Sequence, residues 1–200
     1  MFDTQLRKLV DRPLQYVAIR VARAGLSANS LTYSGALVAL AAALAILGNH
    51  MPLALGLIAA SRTLDGLDGA VARINGPTAW GGYLDSLADY VFYISIPVAF
   101  GLANGANLVP ALLLVASFTI TAVSFLAFAA IAALQAQSET GLDRKAFLYS
   151  TGLMEGGETI AFFALFCLFP TYFPMLANAF ALLCLLTVAQ RLVMAAQRFK

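Results

Sequence analysis

Four aspartates stand where a largely apolar chain has least use for charge: Asp65, Asp68, Asp85 and Asp89. Asp65 and Asp68 are spaced i,i+3, and Asp85 and Asp89 are spaced i,i+4, so on helices each pair shares one face. A connection of about nine residues between the two helix ends lets those faces meet. Four carboxylates at one place repel one another, and near the edge of a hydrocarbon layer each is costly unless paired or liganded. The cluster therefore calls for cations. With no histidine or cysteine nearby the ligands are all oxygen, which suits Mg²⁺, Mn²⁺ or Ca²⁺ rather than zinc. No serine or cysteine has an evident base beside it. The chemistry that fits is direct displacement, with a carboxylate as base and divalent ions stabilising the attacking and leaving oxygens.

The residues between the acids point the same way. Gly66, Gly69, Ala70 and Ala72 leave one face of this segment nearly bare. Such a face can be a packing seam for another helix or a place where a bulky ligand approaches the backbone. The alternation of glycines with carboxylates favours the ligand. Arg73 follows at once, either as an anchor reaching the membrane surface or as a partner for a phosphate.

The elements that must position these residues are membrane spans. Hydrophobic residues make up 61% of the 200 and charged residues 11%, a balance that excludes a soluble globule and a disordered chain. A net charge of +2 is too small for a nucleic-acid binder. Three stretches, 24–61, 90–138 and 159–190, carry no Asp, Glu, Lys or Arg. A spanning helix needs about 20 apolar residues, so each stretch holds most of a pair. Each is broken by turn formers: Gly48-Asn49-His50-Met51-Pro52, Asn104-Gly105-Ala106-Asn107, and Pro170-Thr171-Tyr172-Phe173-Pro174. The fold expected is all-α: three hairpins, hence six spans near 31–48, 52–73, 82–103, 108–134, 147–169 and 172–195. All of it forms a single membrane domain over 1–200, an arm of 1–24 followed by the core of 25–200.

The twelve Lys and Arg residues support this topology. Arg7, Lys8, Arg12, Arg20, Arg23, Arg62, Arg73, Arg144, Lys145, Arg191, Arg198 and Lys200 all fall on one side of a six-span path, and the hairpin tips carry none. The positive-inside rule puts that side, with both termini and the acids, in the cytoplasm. In the arm, Leu6, Leu9, Val10, Pro13, Leu14, Val17 and Val21 fall at helical spacing with basic residues mostly between them. The pattern fits an amphipathic helix lying in the membrane surface, with Pro13 kinking it or starting a second piece. Cys167 and Cys184 fall within spans and read as free thiols. His50, at an outward tip, reads as a solvated loop residue.

Taken together the central run is Asp65-x2-Asp68-Gly69-x2-Ala72-Arg73-x7-Gly81-x3-Asp85-x3-Asp89. It resembles the signature of the CDP-alcohol phosphotransferase family, integral membrane enzymes that make phospholipids from CDP-activated donors, and every fixed position is filled. The resemblance extends to chain length, six spans and the interfacial helix. It implies one or two divalent ions, Mg²⁺ or Mn²⁺, on Asp65, Asp68, Asp85 and Asp89, with Asp89 as general base toward an acceptor hydroxyl. It implies a nucleotide site at Gly69, Arg73 and Thr78. Asn29 and Thr32 match a further family run, Pro-Asn-x-x-Thr, although Ala28 departs from its proline. A plain alternative for Asn29 is a helix N-cap. A homodimer in the cytoplasmic membrane of a bacterium is implied by the resemblance alone.

The reaction so implied moves a phosphatidyl-type group from a CDP-linked lipid such as CDP-diacylglycerol to a small alcohol and releases CMP. Members with phosphorylated acceptors carry arginines near the start of span five, where this chain has Glu155 and Glu158. That difference suggests a neutral or cationic acceptor, while Arg144 and Lys145 keep a phosphorylated one open. Two other readings use the same acids: a divalent-cation transporter, opposed by outward tips without acids, and a non-catalytic lipid-binding protein.

Overall fold

The computed structural model describes residues 2–138 and 156–199, and side chains for 13–135 and 156–199; every regular element among them is helical. Arg144, Lys145, Glu155 and the predicted start of span five at 147 lie outside the described residues. The elements are α1 (Phe2–Arg23), α2 (Ala28–Leu47), α3 (Met51–Asn75), α4 (Ala79–Ala103), α5 (Leu108–Ser138), α6 (Gly156–Leu168) and α7 (Phe173–Arg198).

Local chemistry sets these boundaries. Ser27 caps α2 by accepting the Ser30 N–H at 3.1 Å, and Thr78 caps α4 by accepting the Gly81 N–H at 3.0 Å. Pro52 and Pro174 sit in first turns, where a missing N–H costs nothing. The three predicted turns all form. The chain reverses at Gly48–His50, through a 3₁₀ turn at Gly105–Asn107, and through another at Pro170–Tyr172. The α3–α4 connection is shorter than expected. Both helices extend past the predicted span limits, leaving only Gly76, Pro77 and Thr78 between them. Gly76 has φ +94°, a conformation that favours glycine and ends α3 abruptly.

α1 runs through Pro13 without a break, so the predicted second piece does not form. Its packed residues are Leu14, Ala18, Val21 and Ala22, against Leu31, Leu67, Ala70 and Val71 of α2 and α3. Pro13 and Val17 of the expected apolar stripe are exposed instead. The packed face is rotated because Ala18, with no bulk, lets α1 lie close on α3.

Phe92, Phe100, Phe163, Phe166, Phe173 and Phe180 are fully buried where α4, α6 and α7 converge. Phe100 and Phe173 stack with centroids 4.6 Å apart, and Phe92 meets Phe163 at 5.1 Å. Among lipid tails such interlocking, rather than water exclusion, is what holds helices together. α2, α4, α5 and α7 are long and apolar enough to cross a membrane. α3 has 25 residues, but Arg62, Asp65, Asp68 and Arg73 lower the apolarity of its second half. A Cβ added at Gly101 would stand 2.9 Å from the Ala111 Cβ, so α4 and the start of α5 meet without room for a methyl group. Gly101→Ala is expected to cost about 1–3 kcal/mol and to lower the unfolding midpoint in detergent; an unchanged midpoint would mean that the hairpin tip yields.

Candidate active site

A three-residue connection joins α3 to α4, both helices pack against α2, and acids from the two come together. One carboxylate oxygen from each of Asp65, Asp68 and Asp85 lies within 4.8 Å of the others. That spacing suits one hard cation held between three oxygens at about 2.0–2.6 Å each. The donor set, all carboxylate, fits Mg²⁺, Mn²⁺ or Ca²⁺. Asp68 is buried, and its Oδ2 accepts the Thr32 hydroxyl at 2.6 Å. Thr32, from α2, thereby orients the carboxylate from behind. Thr32→Val leaves the shape intact and removes this bond; because hydrogen bonds to charged groups contribute about 1.5–3 kcal/mol, a loss of divalent-ion affinity of about tenfold or more is expected by Mn²⁺ titration.

Asp89, one turn beyond Asp85, is engaged differently. Its Oδ1 accepts from Arg62 Nη1 at 2.7 Å, and the same nitrogen stands 3.4 Å from Asp65 Oδ1. Arg62 was expected to mark topology. It points inward instead, its side chain 9% exposed, with its guanidinium carbon 3.9 Å from the centre of the Phe92 ring. A cation meant only as an anchor would extend to the membrane surface. The signal was present in the sequence: Arg62 lies inside the predicted second span and i,i+3 before Asp65, on the same face.

Two clefts open on either side of the acids. The first, about 360 Å³, is lined by Asn29, Thr32, Asp68, Gly69, Thr78 and Asp85, among others. Four of the five residues matched to a nucleotide site therefore meet in one place. Asn29 is not the N-cap, a role that Ser27 fills; it sits in the first turn of α2. Gly81 keeps the cleft tight, since a Cβ there would stand 3.1 Å from Thr78 Oγ1 and 3.3 Å from Asn29 Oδ1. The fifth residue, Arg73, is exposed, and a Cβ at Gly69 would be 3.5 Å from its Nη1. The small-residue face of α3 divides in two. Gly69 and Ala72 open on the cleft. Gly66 faces Leu14 and Ala70 is buried, both packed against other helices.

The second cleft, about 340 Å³, is lined by Asp89, Tyr93, Thr121, Thr159, Cys184 and Arg191, among others. Arg191 is buried, and its Nη1 donates to the Thr121 carbonyl at 3.0 Å and to Ser124 Oγ at 2.7 Å. It too was counted among the cations that mark one side of the six-span path. Its position inside the predicted sixth span was the available clue, since ionisable residues at such depth are usually functional. Glu158 is half-buried at the start of α6, while its neighbour Thr159 lines the cleft. Glu155 lies outside the described residues. Cys167 and Cys184 are free and buried, and His50 is exposed, as expected.

Comparison with known proteins gives likenesses of three kinds: to a family model, to curated proteins and to solved structures. Residues 26–192 match the family model described as CDP-alcohol phosphatidyltransferase. The chain is 40% identical to the inner membrane protein YnjF of Escherichia coli over 194 residues, 96% of this chain and 93% of that one. It is 36% identical over 103 residues, 51% of this chain and 54% of that one, to the archaetidylinositol phosphate synthase of Pyrococcus horikoshii. Among solved structures, the phosphatidylinositol phosphate synthase of Mycobacterium tuberculosis with CDP-DAG bound aligns with a TM-score of 0.66 at 20% identity, covering 90% of this chain and 92% of that one. The same synthase in complex with manganese and citrate aligns at 0.68 and 19% identity, covering 90% and 87%. At such identities the likeness concerns the fold.

Proposed function

The chain belongs to the CDP-alcohol phosphatidyltransferase family, and from that premise we propose that it transfers a phosphatidyl-type group from a CDP-linked lipid to the hydroxyl of a small polar alcohol, releasing CMP. The observation that carries this reading is the pair of clefts meeting at one set of carboxylates: Asp68 and Asp85 line the first, and Asp89 lines the second. A transfer between two substrates needs two rooms with a shared wall.

In the first cleft Asn29, Gly69 and Thr78 surround the cytidine and its phosphates, and Arg73 reaches a phosphate from the open side. Asp65, Asp68 and Asp85 hold the divalent ion, Mg²⁺ or Mn²⁺, with Asp89 as the fourth carboxylate. When bound, the ion supplies positive charge to the oxygens between which phosphorus moves. In the second cleft Asp89 takes the proton of the acceptor hydroxyl. The acceptor oxygen then attacks the phosphorus that bears the lipid, the bond from that phosphorus to CMP breaks, and CMP leaves toward the first cleft. The Mycobacterium tuberculosis synthase, solved with CDP-DAG and separately with manganese, supports donor and ion alike.

The acceptor reading changes with the fold. Glu155 and Glu158 suggested a neutral or cationic alcohol. The buried Arg191 in the wall that Asp89 shares favours an alcohol carrying an anionic group, because a planar guanidinium matches the oxygens of a phosphate. The synthases named for inositol phosphate lipids point the same way.

The setting proposed is a single domain of six spans in the cytoplasmic membrane, working as a homodimer, with the arm in the membrane surface and termini and site facing the cytoplasm. The three hairpins and the inner-membrane relative support it. The decisive experiment offers purified protein labelled CDP-diacylglycerol with a neutral polyol, an amino alcohol or a phosphorylated polyol. The expected result is CMP and a new lipid with the phosphorylated polyol. A product only with the amino alcohol would overturn the acceptor reading, and no CMP with any acceptor would overturn the function.

A further inference from the structure

We propose that Tyr93 selects the acceptor: its hydroxyl, open to the second cleft, binds an acceptor hydroxyl other than the one that reacts at Asp89, so the site is built for a polyol rather than an alcohol with a single hydroxyl. The inference rests on the transfer reaction proposed above and narrows its substrate class.

Tyr93 stands one helical turn beyond Asp89 on α4, at i,i+4, so the two side chains leave the helix on one face. Both line the second cleft. The half-buried Tyr93 ring packs on the aromatic core. Phe118 of α5 lies 6.1 Å from it, centroid to centroid, and Tyr90 meets it edge-on at 6.0 Å. A ring held in this way gives its hydroxyl a defined place. At the start of α6, Gly156 leaves the space before that hydroxyl open, since even an added Cβ would stand only at contact distance, 3.8 Å from Tyr93 Oη.

The Tyr93 hydroxyl has no hydrogen-bond partner among the described residues, and it opens on the cleft rather than being sealed in the core. Other hydroxyls in the same wall are turned away. Ser86 donates to the Gly82 carbonyl at 2.9 Å and Thr121 to the Ser117 carbonyl at 2.8 Å, each along its own helix. A phenylalanine would fill the space of Tyr93 equally well, as Phe118 and Phe125 do in the same cleft. Without a partner, a hydroxyl carried into a bundle of apolar helices is a cost. What meets it is therefore a guest in the cleft. A tyrosine hydroxyl both donates and accepts, as an alcohol does. With one acceptor hydroxyl at Asp89 and the anionic group at Arg191, Tyr93 is left for a second hydroxyl. It is thus a specificity-determining residue.

The test compares acceptors that differ in hydroxyl number. Purified protein with labelled CDP-diacylglycerol is offered inositol phosphate and glycerol phosphate, and beside them hydroxycyclohexyl phosphate and hydroxypropyl phosphate, which keep the phosphate and a single hydroxyl. For the wild type, kcat/KM with the better polyol phosphate is expected to exceed that of its single-hydroxyl counterpart by about 10-fold to 100-fold, the usual effect of one hydrogen bond in an enclosed site. Tyr93→Phe keeps the ring and should lower the polyol value by a similar factor, leave the single-hydroxyl value unchanged and leave KM for the CDP-lipid unchanged. The ratio then falls to near one, whereas a mere packing defect would lower both values together. A wild type that uses single-hydroxyl acceptors as well as polyols, or a Tyr93→Phe variant that keeps the wild-type ratio, would overturn the assignment while leaving the transfer reaction in place. No CMP from the wild type with any acceptor would overturn the reaction itself. The wild-type ratio decides the matter even if the variant fails to fold.

Discussion

Asp89→Asn is expected to lower CMP release by about 100-fold to 10,000-fold, the usual range for a positioned general base, while binding of the CDP-lipid stays near normal. The reasons are geometric. Asp89 lines the second cleft and not the first, so it faces the acceptor rather than the donor. Its carboxylate is pinned by Arg62 at 2.7 Å, and the amide that replaces it keeps an oxygen for that bond. What the variant loses is the ability to take a proton. A purified mutant with normal donor binding and normal CMP release would remove Asp89 from the base role. A mutant that no longer binds the donor would instead place it among the donor's own contacts.

Asp68→Asn should abolish divalent-ion binding and cut turnover by roughly 1,000-fold, the equivalent of several kcal/mol of charge stabilisation. Asp68 is the most enclosed of the acids, 4% exposed, and Thr32 already fills one of its oxygens. Loss of the remaining charge leaves the converging oxygens too weak to hold an ion. The same substitution carries an opposite effect on stability. In chelator the wild type keeps four carboxylates close together with Arg62 beside two of them, and removing one charge relieves repulsion. The unfolding midpoint of Asp68→Asn in chelator should therefore exceed that of the wild type, and with Mn²⁺ present the order should reverse. Equal response of both proteins to Mn²⁺ would show that Asp68 is not a ligand.

The acids were legible in the sequence because the chain is so poor in charge. Among few acidic residues, Asp65, Asp68, Asp85 and Asp89 stood out by helical spacing alone, and three of them converge as that spacing requires. The nucleotide-side residues were legible only through resemblance, and Asn29, Thr32, Gly69 and Thr78 do share a cleft. The two inward-folding arginines were read only as markers of topology, for a physical reason. Counting cations by side of the membrane treats all of them alike, and a side chain of this length can either extend to the surface or fold into the bundle. Arg62 and Arg191 fold inward, because each finds oxygens there: Asp65 and Asp89 for one, Thr121 and Ser124 for the other.

The acceptor side shows the same limit from another angle. Asp89 comes from α4, Thr121 from α5, Thr159 from α6 and Arg191 from α7, and they line one cleft. No spacing rule links residues so far apart, since helical periodicity governs only neighbours on one helix. By itself the sequence determined an apolar helical chain, its turn positions and the carboxylates, because composition, turn formers and local spacing act over a few residues. Tertiary structure alone decided which helix faces met, and so which acids converge on a cation, which one is held by Arg62, and which arginine the second cleft encloses.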